Sequence, residues 1–279
     1  MINSDLVRKA LKISRDAVRI AAKEILKLQR EKGFSTSFKS DDSPVTAGDK
    51  MAEKIIVDAI RENFPKHKIL SEEFGKINFQ TKSQFLWVLD PIDGTWSYVN
   101  QEVTMCIQLA LLEKNECIAA TIYNPFTKAM YQTSIGKTSA LNRRHLPFTN
   151  YQLLNHAVIN YHIPRSQRKL IYPLIEIWND NRIAKLITQG GSIAYSLACV
   201  AKGSHTCFVT TSDKPIKPWD LCAGIAMIRN MGGCVTDFQG KNINPMGHTG
   251  EIVASCNKKV HKSFLACFKK YRLKAKHFE

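Results

Sequence analysis

The stretch WVLDPIDGTWSYVN, residues 87–100, decides how this chain folds. The apolar run from Phe85 to Leu89 reads as a buried strand, and it stops at an acid, Asp90. Pro91 follows, then a second acid at Asp93, then Gly94 and Thr95. Asp, Pro and Gly suit a turn. A turn does not require two carboxylates three residues apart, so their delivery to the end of a core strand points to something they bind.

Outward from this stretch, residues 4–32 carry Val7, Leu11, Ser14, Val18, Ala21, Ile25 and Leu28 at helical spacing, with Gly33 as a stop. The segment KSDDSPVTAGDK is polar and turn-rich, and Ala47 to Asn63 reads as a second helix ending before Pro65. Between Lys68 and Tyr131 the pattern is mainly strand: KIL, QFLWVL, and TMCIQLALLEKNECIAATIY as two strands around a Lys-Asn turn. The segment IGKTSALNRRHLPFTN is expected to be an exposed loop and a boundary. Beyond it, strands at 156–160, 183–187, 205–210, 234–237 and 251–255 alternate with helices at 166–179, 191–201, 219–231 and 257–273. The expectation is a mixed α+β half over 1–148 packed on an α/β half over 149–279. In the last helix Phe264, Leu265, Phe268 and Tyr271 should face inward, leaving its lysines in water.

The 279 residues, 44% hydrophobic and 23% charged, have the composition of a globular protein. No apolar run reaches the length of a membrane span, and the first residues lack a signal-peptide core. Eight cysteines (106, 117, 199, 207, 222, 234, 256 and 267) are widely spaced in mostly apolar surroundings. They read as buried free thiols, which implies a reducing cytoplasm and no zinc site. The net charge of +16 is uneven: residues 1–40 hold ten Lys/Arg against four acids, and 257–279 hold eight against one. Two solvated helix faces explain that excess, and attraction to polyanions is the sharper alternative.

Four acidic segments stand out: Asp49 in SPVTAGD, Glu72-Glu73 in ILSEEFG, Asp90 with Asp93, and Asp220 in KPWDLCAG. Each alone has a plain explanation, as a first-turn helix charge, a loop charge, a turn former or an N-cap. Together they sit mostly at the ends of apolar elements. Clustered carboxylates repel unless cations neutralise them, and hard oxygen donors in that number suit Mg²⁺. Gly94-Thr95 would open a helix whose N–H groups can receive phosphate. Mg²⁺ beside a phosphate cradle implies phosphoryl chemistry.

DPIDGT, with SPVTAGD and SEE upstream and WDLCAG downstream, resembles the inositol monophosphatase family of Mg²⁺-dependent, Li⁺-sensitive phosphatases. The likeness runs from about Lys39 to Gly233. It implies a layered αβαβα sandwich, two to three Mg²⁺ ions, a small phosphorylated substrate and a homodimer. It also implies roles for single residues. Glu72, Asp90 and the Ile92 carbonyl would hold one metal, and Asp90, Asp93 and Asp220 a second. Thr95, with Glu72 and Asp49, would orient and help deprotonate the attacking water, without a phosphoenzyme. The Gly94 and Thr95 N–H groups would hold phosphate, and Asp93 would help bind substrate. Gly191, Ser192 and Ile193 match the substrate-contacting turn, and Asp213 falls where an acid binds a substrate hydroxyl.

Several positions depart from that pattern. Trp96-Ser97-Tyr98 follows DPIDGT, the usual glycine-rich hairpin is reduced to IGKTSALNRRHLPFTN, and Ile193 replaces a smaller residue. KSDDSPVTAGD also resembles the 3′(2′),5′-bisphosphate nucleotidase and histidinol-phosphatase branches, where Arg143, Arg144 and Lys217 would meet a second phosphate and Trp96 would stack on a base. The substrate is therefore open, with inositol monophosphate first. The alternative of another class is a non-catalytic module binding RNA or an acidic partner through its basic termini. No nucleic-acid motif supports it.

Overall fold

A computed structural model describes residues 3–32, 36–38, 44–150, 153–247 and 249–275. The expected stop at Gly33, the polar residues 39–43 and Lys276 lie outside them. Helix α1 spans Ser4–Lys32 and is followed by the antiparallel pair β1 (Thr36–Phe38) and β2 (Pro44–Thr46). Helix α2 (Ala47–Asn63) leads into β3 (Lys68–Ser71), β4 (Gly75–Ile77) and β5 (Phe85–Asp93). The short helix α3 (Thr95–Val99) precedes β6 (Cys106–Glu113), β7 (Glu116–Asn124), β8 (Ala129–Ser134), β9 (Ala140–Leu141) and β10 (Arg144–His145). The remainder contains β11 (Val158–His162), α4 (Ile171–Asn179), β12 (Lys185–Ile187), α5 (Ile193–Lys202), β13 (Cys207–Thr211), α6 (Pro218–Asn230), β14 (Cys234–Thr236), β15 (Glu251–Ser255) and α7 (Lys258–Ala275).

One sheet of eight strands runs β10-β9-β8-β7-β6-β5-β3-β4, and one of five runs β12-β11-β13-β15-β14. The large sheet is buried on both faces, which is why its central strands are near-continuous apolar runs. Trp87, Leu89, Ile107, Leu109 and Leu111 pack with α1 and α2. Val88, Cys106, Ala110, Leu112 and Ile122 face the other way, into a core shared with α5, α6 and the second sheet. Ile159, Val209 and Val253 of that sheet pack on Phe264, Phe268 and Tyr271 of α7. The layers are therefore α, β, α, β, α, as expected.

The bulge in β5 matters most for function. Asp90 opposes Gln108 and Asp93 opposes Cys106, so three steps on β5 match two on β6. In an unbroken strand, residues three apart point to opposite faces. The extra residue, beside a proline that cannot donate to the ladder, turns Asp93 to the same side as Asp90. That side faces α5 and α6.

Three sequence expectations need correction. Residues 135–150 are not simply a loop: β9 and β10 form a hairpin there, with Asn142 and Arg143 at φ 50 and 70. The helix expected over 166–179 is split into a 3₁₀ segment, Arg165–Leu170, and α4. Pro173 explains the split, because proline fits the first turn of α4 but not the interior of a longer helix. Asp220 is the third residue of α6 rather than its N-cap, which is Lys217.

Candidate metal-centred active site

Asp90, Asp93 and Asp220 converge, with one carboxylate oxygen of each within 4.8 Å of the others. Asp90 and Asp93 arrive on the bulged end of β5. Asp220 arrives on the first turn of α6, after Pro218 at a position where the missing N–H costs nothing. Its Oδ2 accepts from Lys217 N–H at 3.1 Å, which fixes the carboxylate across the helix start. Glu72 follows β3, and its N–H donates to Leu89 O at 3.2 Å, extending the parallel pairing up to Asp90. A side-chain hydrogen bond joins Glu72 to Asp90.

Burial pushes Asp90 well above the usual carboxylate range, and the charges of Glu72, Asp93 and Asp220 push it further. Asp220 is raised well above it too, by burial first and then by Asp93 and Glu72. Burial lifts Asp93 to about 7, against the hydrogen bonds from Ser192 and Ala194 that pull it down. Such a group of acids relieves its repulsion by protonation or by a cation. Every donor is a hard oxygen, the set Mg²⁺ takes. Gln108, also buried, adds an Oε1 with no hydrogen-bond partner among the described residues. The residues present fit a divalent cation.

Beside this cluster, Thr95 Oγ1 lies 3.4 Å from Asp49 Oδ1 and 3.2 Å from the Ile92 carbonyl. Ile92 N–H in turn donates to Asp90 Oδ1 at 3.0 Å. Asp49 occupies the capping box of α2: its Oδ2 accepts from Thr46 N–H and Thr46 Oγ1–H, both at 2.7 Å. Burial raises Asp49 to about 7 despite those bonds. Its other oxygen faces Thr95, so one helix start holds a weakly acidic carboxyl against the threonine hydroxyl.

The turn before α5 closes the site. Asp93 Oδ2 accepts from Ser192 Oγ at 2.6 Å, Ala194 N–H at 2.8 Å and Gln108 Nε2 at 3.2 Å. Ser192 caps α5 and also donates its N–H to Thr104 O at 2.9 Å. Gly191 lies at φ 90, and a Cβ there would meet Thr104 O at 2.2 Å. Gly94, at φ 91, is also close, though less so, with Ser192 N 3.0 Å from its would-be Cβ. These two glycines are required by close approach as well as by backbone conformation. Ile193 is partly buried against the shared core.

Asp213 stands apart from this network. It is exposed, and it accepts from Ser166 Oγ and from Gln167 Nε2, bonds that hold its carboxyl below the usual range. Tyr98, one of the departures in sequence, is a packing residue: its hydroxyl donates to Ile25 O at 2.8 Å, tying α3 to α1. Trp96 beside it is 52% exposed. Two residues of this region went unread in the sequence. Gln108 was visible as the one polar residue in MCIQLALL, and Glu53 as an acid on the apolar face of α2, one turn beyond Asp49.

A five-layer sandwich with a carboxylate cluster where bulge, α5 and α6 meet defines a fold class built around a hard-cation site. The chain belongs to the inositol monophosphatase family, whose model matches residues 6–273. Among relatives, the Nus factor SuhB of Escherichia coli K12 is 30% identical over 267 residues, covering 92% of this chain and 93% of the relative. That of Salmonella typhimurium LT2 is 30% identical over 263 residues with the same coverage. Among solved structures, the suhB suppressor protein of Bartonella henselae superposes with a TM-score of 0.83 at 25% identity, covering 94% of this chain and 99% of that one. The IMPase of Thermotoga maritima gives 0.81 at 25% identity, with 96% and 99% covered.

Proposed function

We propose that this protein hydrolyses a small phosphomonoester, inositol monophosphate first among the candidates, in a Mg²⁺-dependent reaction. The observation that carries the reading is the convergence of Asp90, Asp93 and Asp220 within 4.8 Å beside the Thr95–Asp49 pair. Glu72, Asp90, Asp93, Asp220 and the Ile92 carbonyl would hold the ions, two to three in number. An ion held there would neutralise phosphoryl oxygens and make water more acidic. The chain's own residues handle the proton: Thr95 Oγ1 accepts from the attacking water as its own proton passes to Asp49 Oδ1. A carboxyl near pKa 7 is suited to receive a proton at neutral pH. The turn through Gly94 and Thr95 would orient phosphate, and Gly191, Ser192 and Ile193 the rest of the substrate.

Asp213, exposed and bonded to Ser166 and Gln167, is proposed to bind a substrate hydroxyl. The halves 1–148 and 149–279 are proposed as its two structural units, since among the described residues the strands up to His145 pair only with one another. Inhibition by Li⁺, a homodimer and a cytoplasmic location complete the reading; the first two rest on family membership and the third on the free cysteines. No helix among the described residues is long and apolar enough to cross a membrane.

The test is phosphate release in Mg²⁺ from inositol-1-phosphate, 3′-phosphoadenosine 5′-phosphate, histidinol phosphate and fructose-1,6-bisphosphate. Preference for the first supports the reading, and hydrolysis of none of them overturns it.

A second reading has one specific support: curated relatives at 30% identity are named Nus factors, so a partner-binding role without turnover is the alternative. The exposed Lys258, Lys259, Lys262, Lys269 and Lys270 of α7 would be the contact. RNA binding that survives physiological salt and is lost on changing Lys269 and Lys270 to Gln would favour it.

A further inference from the structure

Helix α2 places two acids on its buried face, four residues apart. Asp49 serves Thr95, and Glu53 is the second. Glu53 is completely buried, and no cation pairs with it among the described residues. Its carboxylate accepts from Ser71 Oγ at 2.6 Å, Glu73 N–H at 2.9 Å and Phe74 N–H at 2.5 Å. All three donors belong to the β3–β4 turn, and residue 72 lies between them. The N–H of Glu72 itself is held by Leu89 O on the other side. Backbone direction is thus fixed before and after Glu72, whose side chain reaches Asp90.

A buried carboxylate without a cation is costly, and burial raises the Glu53 carboxyl above its usual range against the three donors that pull it down. Two successive N–H groups and a hydroxyl aimed at one carboxylate make a cradle that needs an acceptor on every side. The turn is therefore built around a side chain that accepts at both oxygens.

We propose that Glu53 is a positioning residue for the metal centre: by holding the Ser71–Phe74 turn, it orients Glu72 toward Asp90 and so sets divalent-ion affinity without touching the ion. This rests on the reading of the acidic cluster as a metal site, but not on the identity of any substrate. Glu53→Gln keeps the volume of the side chain but turns an NH₂ group toward at least one of the three donors. Glu53→Asp keeps the charge but shortens the reach.

The experiment is direct Mn²⁺ binding to the full chain without substrate, followed by electron paramagnetic resonance, with Tm measured in parallel. Ile56→Val, on the same buried helix face, serves as a control for simple loss of stability. We expect Glu53→Gln to weaken Mn²⁺ binding about tenfold or more, since partners of metal ligands commonly count for 10–100-fold. Glu53→Asp should recover part of that loss, while Ile56→Val lowers Tm with unchanged Mn²⁺ affinity. Should Glu53→Gln lower Tm yet bind Mn²⁺ as the wild type does, the inference fails while the metal site stands. Absence of Mn²⁺ binding by the wild type would remove the site reading and this inference together. Mn²⁺ binding without hydrolysis of any ester would overturn only the proposed activity.

Discussion

Changing Asp93 to Asn should make the metal-free protein more stable and the enzyme nearly inactive. Asp93 Oδ2 accepts three hydrogen bonds, from Ser192, Ala194 and Gln108, and an amide oxygen can accept the same three. The group facing the cluster becomes neutral. Burial raises Asp93 to about 7 from an ordinary 3.8, so its folded pKa lies above its unfolded one. A carboxyl shifted this way contributes stability below about pH 4 and loses it as pH rises through about 7. Roughly three units at ~1.4 kcal/mol each place about 4 kcal/mol of strain on the ionised, metal-free site at pH 8. Weaker, neutral hydrogen bonds in the variant offset about half of this, leaving a gain of about 2 kcal/mol. For a chain of 279 residues that is about 3–4 °C in Tm.

Thermal unfolding in EDTA and in Mg²⁺, at pH 6 and pH 8, measures it. The gain should appear in EDTA at pH 8, shrink at pH 6 and reverse in Mg²⁺, where only the wild type gains fully from the ion. Hydrolysis should fall about a hundredfold or more, because a ligand counts for at least as much as its outer partners. A variant less stable than wild type in EDTA at pH 8, with an unchanged response to Mg²⁺, would refute the reasoning.

Gly191→Ala should lower stability by at least ~2 kcal/mol, because a side chain at φ 90 is strained and its Cβ would reach Thr104 O at 2.2 Å. Urea unfolding checks it, and a loss under ~0.5 kcal/mol would show that the turn before α5 yields easily. Metal-free stability should fall as pH rises from about 6.5 to 8. Asp49 and Asp93, raised to about 7, and Asp90 and Asp220, raised well above the usual range, give up in the folded state protons that the unfolded chain has already lost, while the opposing gain from His67 and His261, both lowered by burial to about 4 from 6.5, is complete by about pH 6.5. For His67 the proton would displace the Trp87 Nε1–H bond to Nδ1 at 3.1 Å. Urea midpoints that climb steadily to pH 8 in EDTA would contradict this balance.

The elements with strong period were legible in the sequence, and those held by non-local pairing were not. Helix α2 matches its expected bounds of Ala47 and Asn63, because its apolar face, its Thr46 cap and Pro65 all lie within the segment. The last helix turns Phe264, Phe268 and Tyr271 inward as their spacing requires. By contrast β9 and β10 are two residues each and exist by pairing, which no periodicity records. The acids Asp90, Asp93 and Asp220 were readable because nothing in a turn or cap demands so many. Their meeting depends on the β5 bulge, which Pro91 only hints at. Glu53 was hidden because its partners are mainly backbone N–H groups twenty residues on, and backbone groups leave no mark in a sequence. Asp213 was legible as an acid, but its partners Ser166 and Gln167 come from a distant segment.

The central claim is that the carboxylate cluster of Asp90, Asp93 and Asp220 is a working metal centre for phosphate-ester hydrolysis. It is tested most directly by titrating Mg²⁺ into the EDTA-treated full chain and following phosphate release from inositol-1-phosphate, beside Asp220→Asn. The account predicts no release without Mg²⁺, saturable release with it, and a loss of about a hundredfold or more in the variant. Release that is independent of Mg²⁺, or equal in the two proteins, would contradict it.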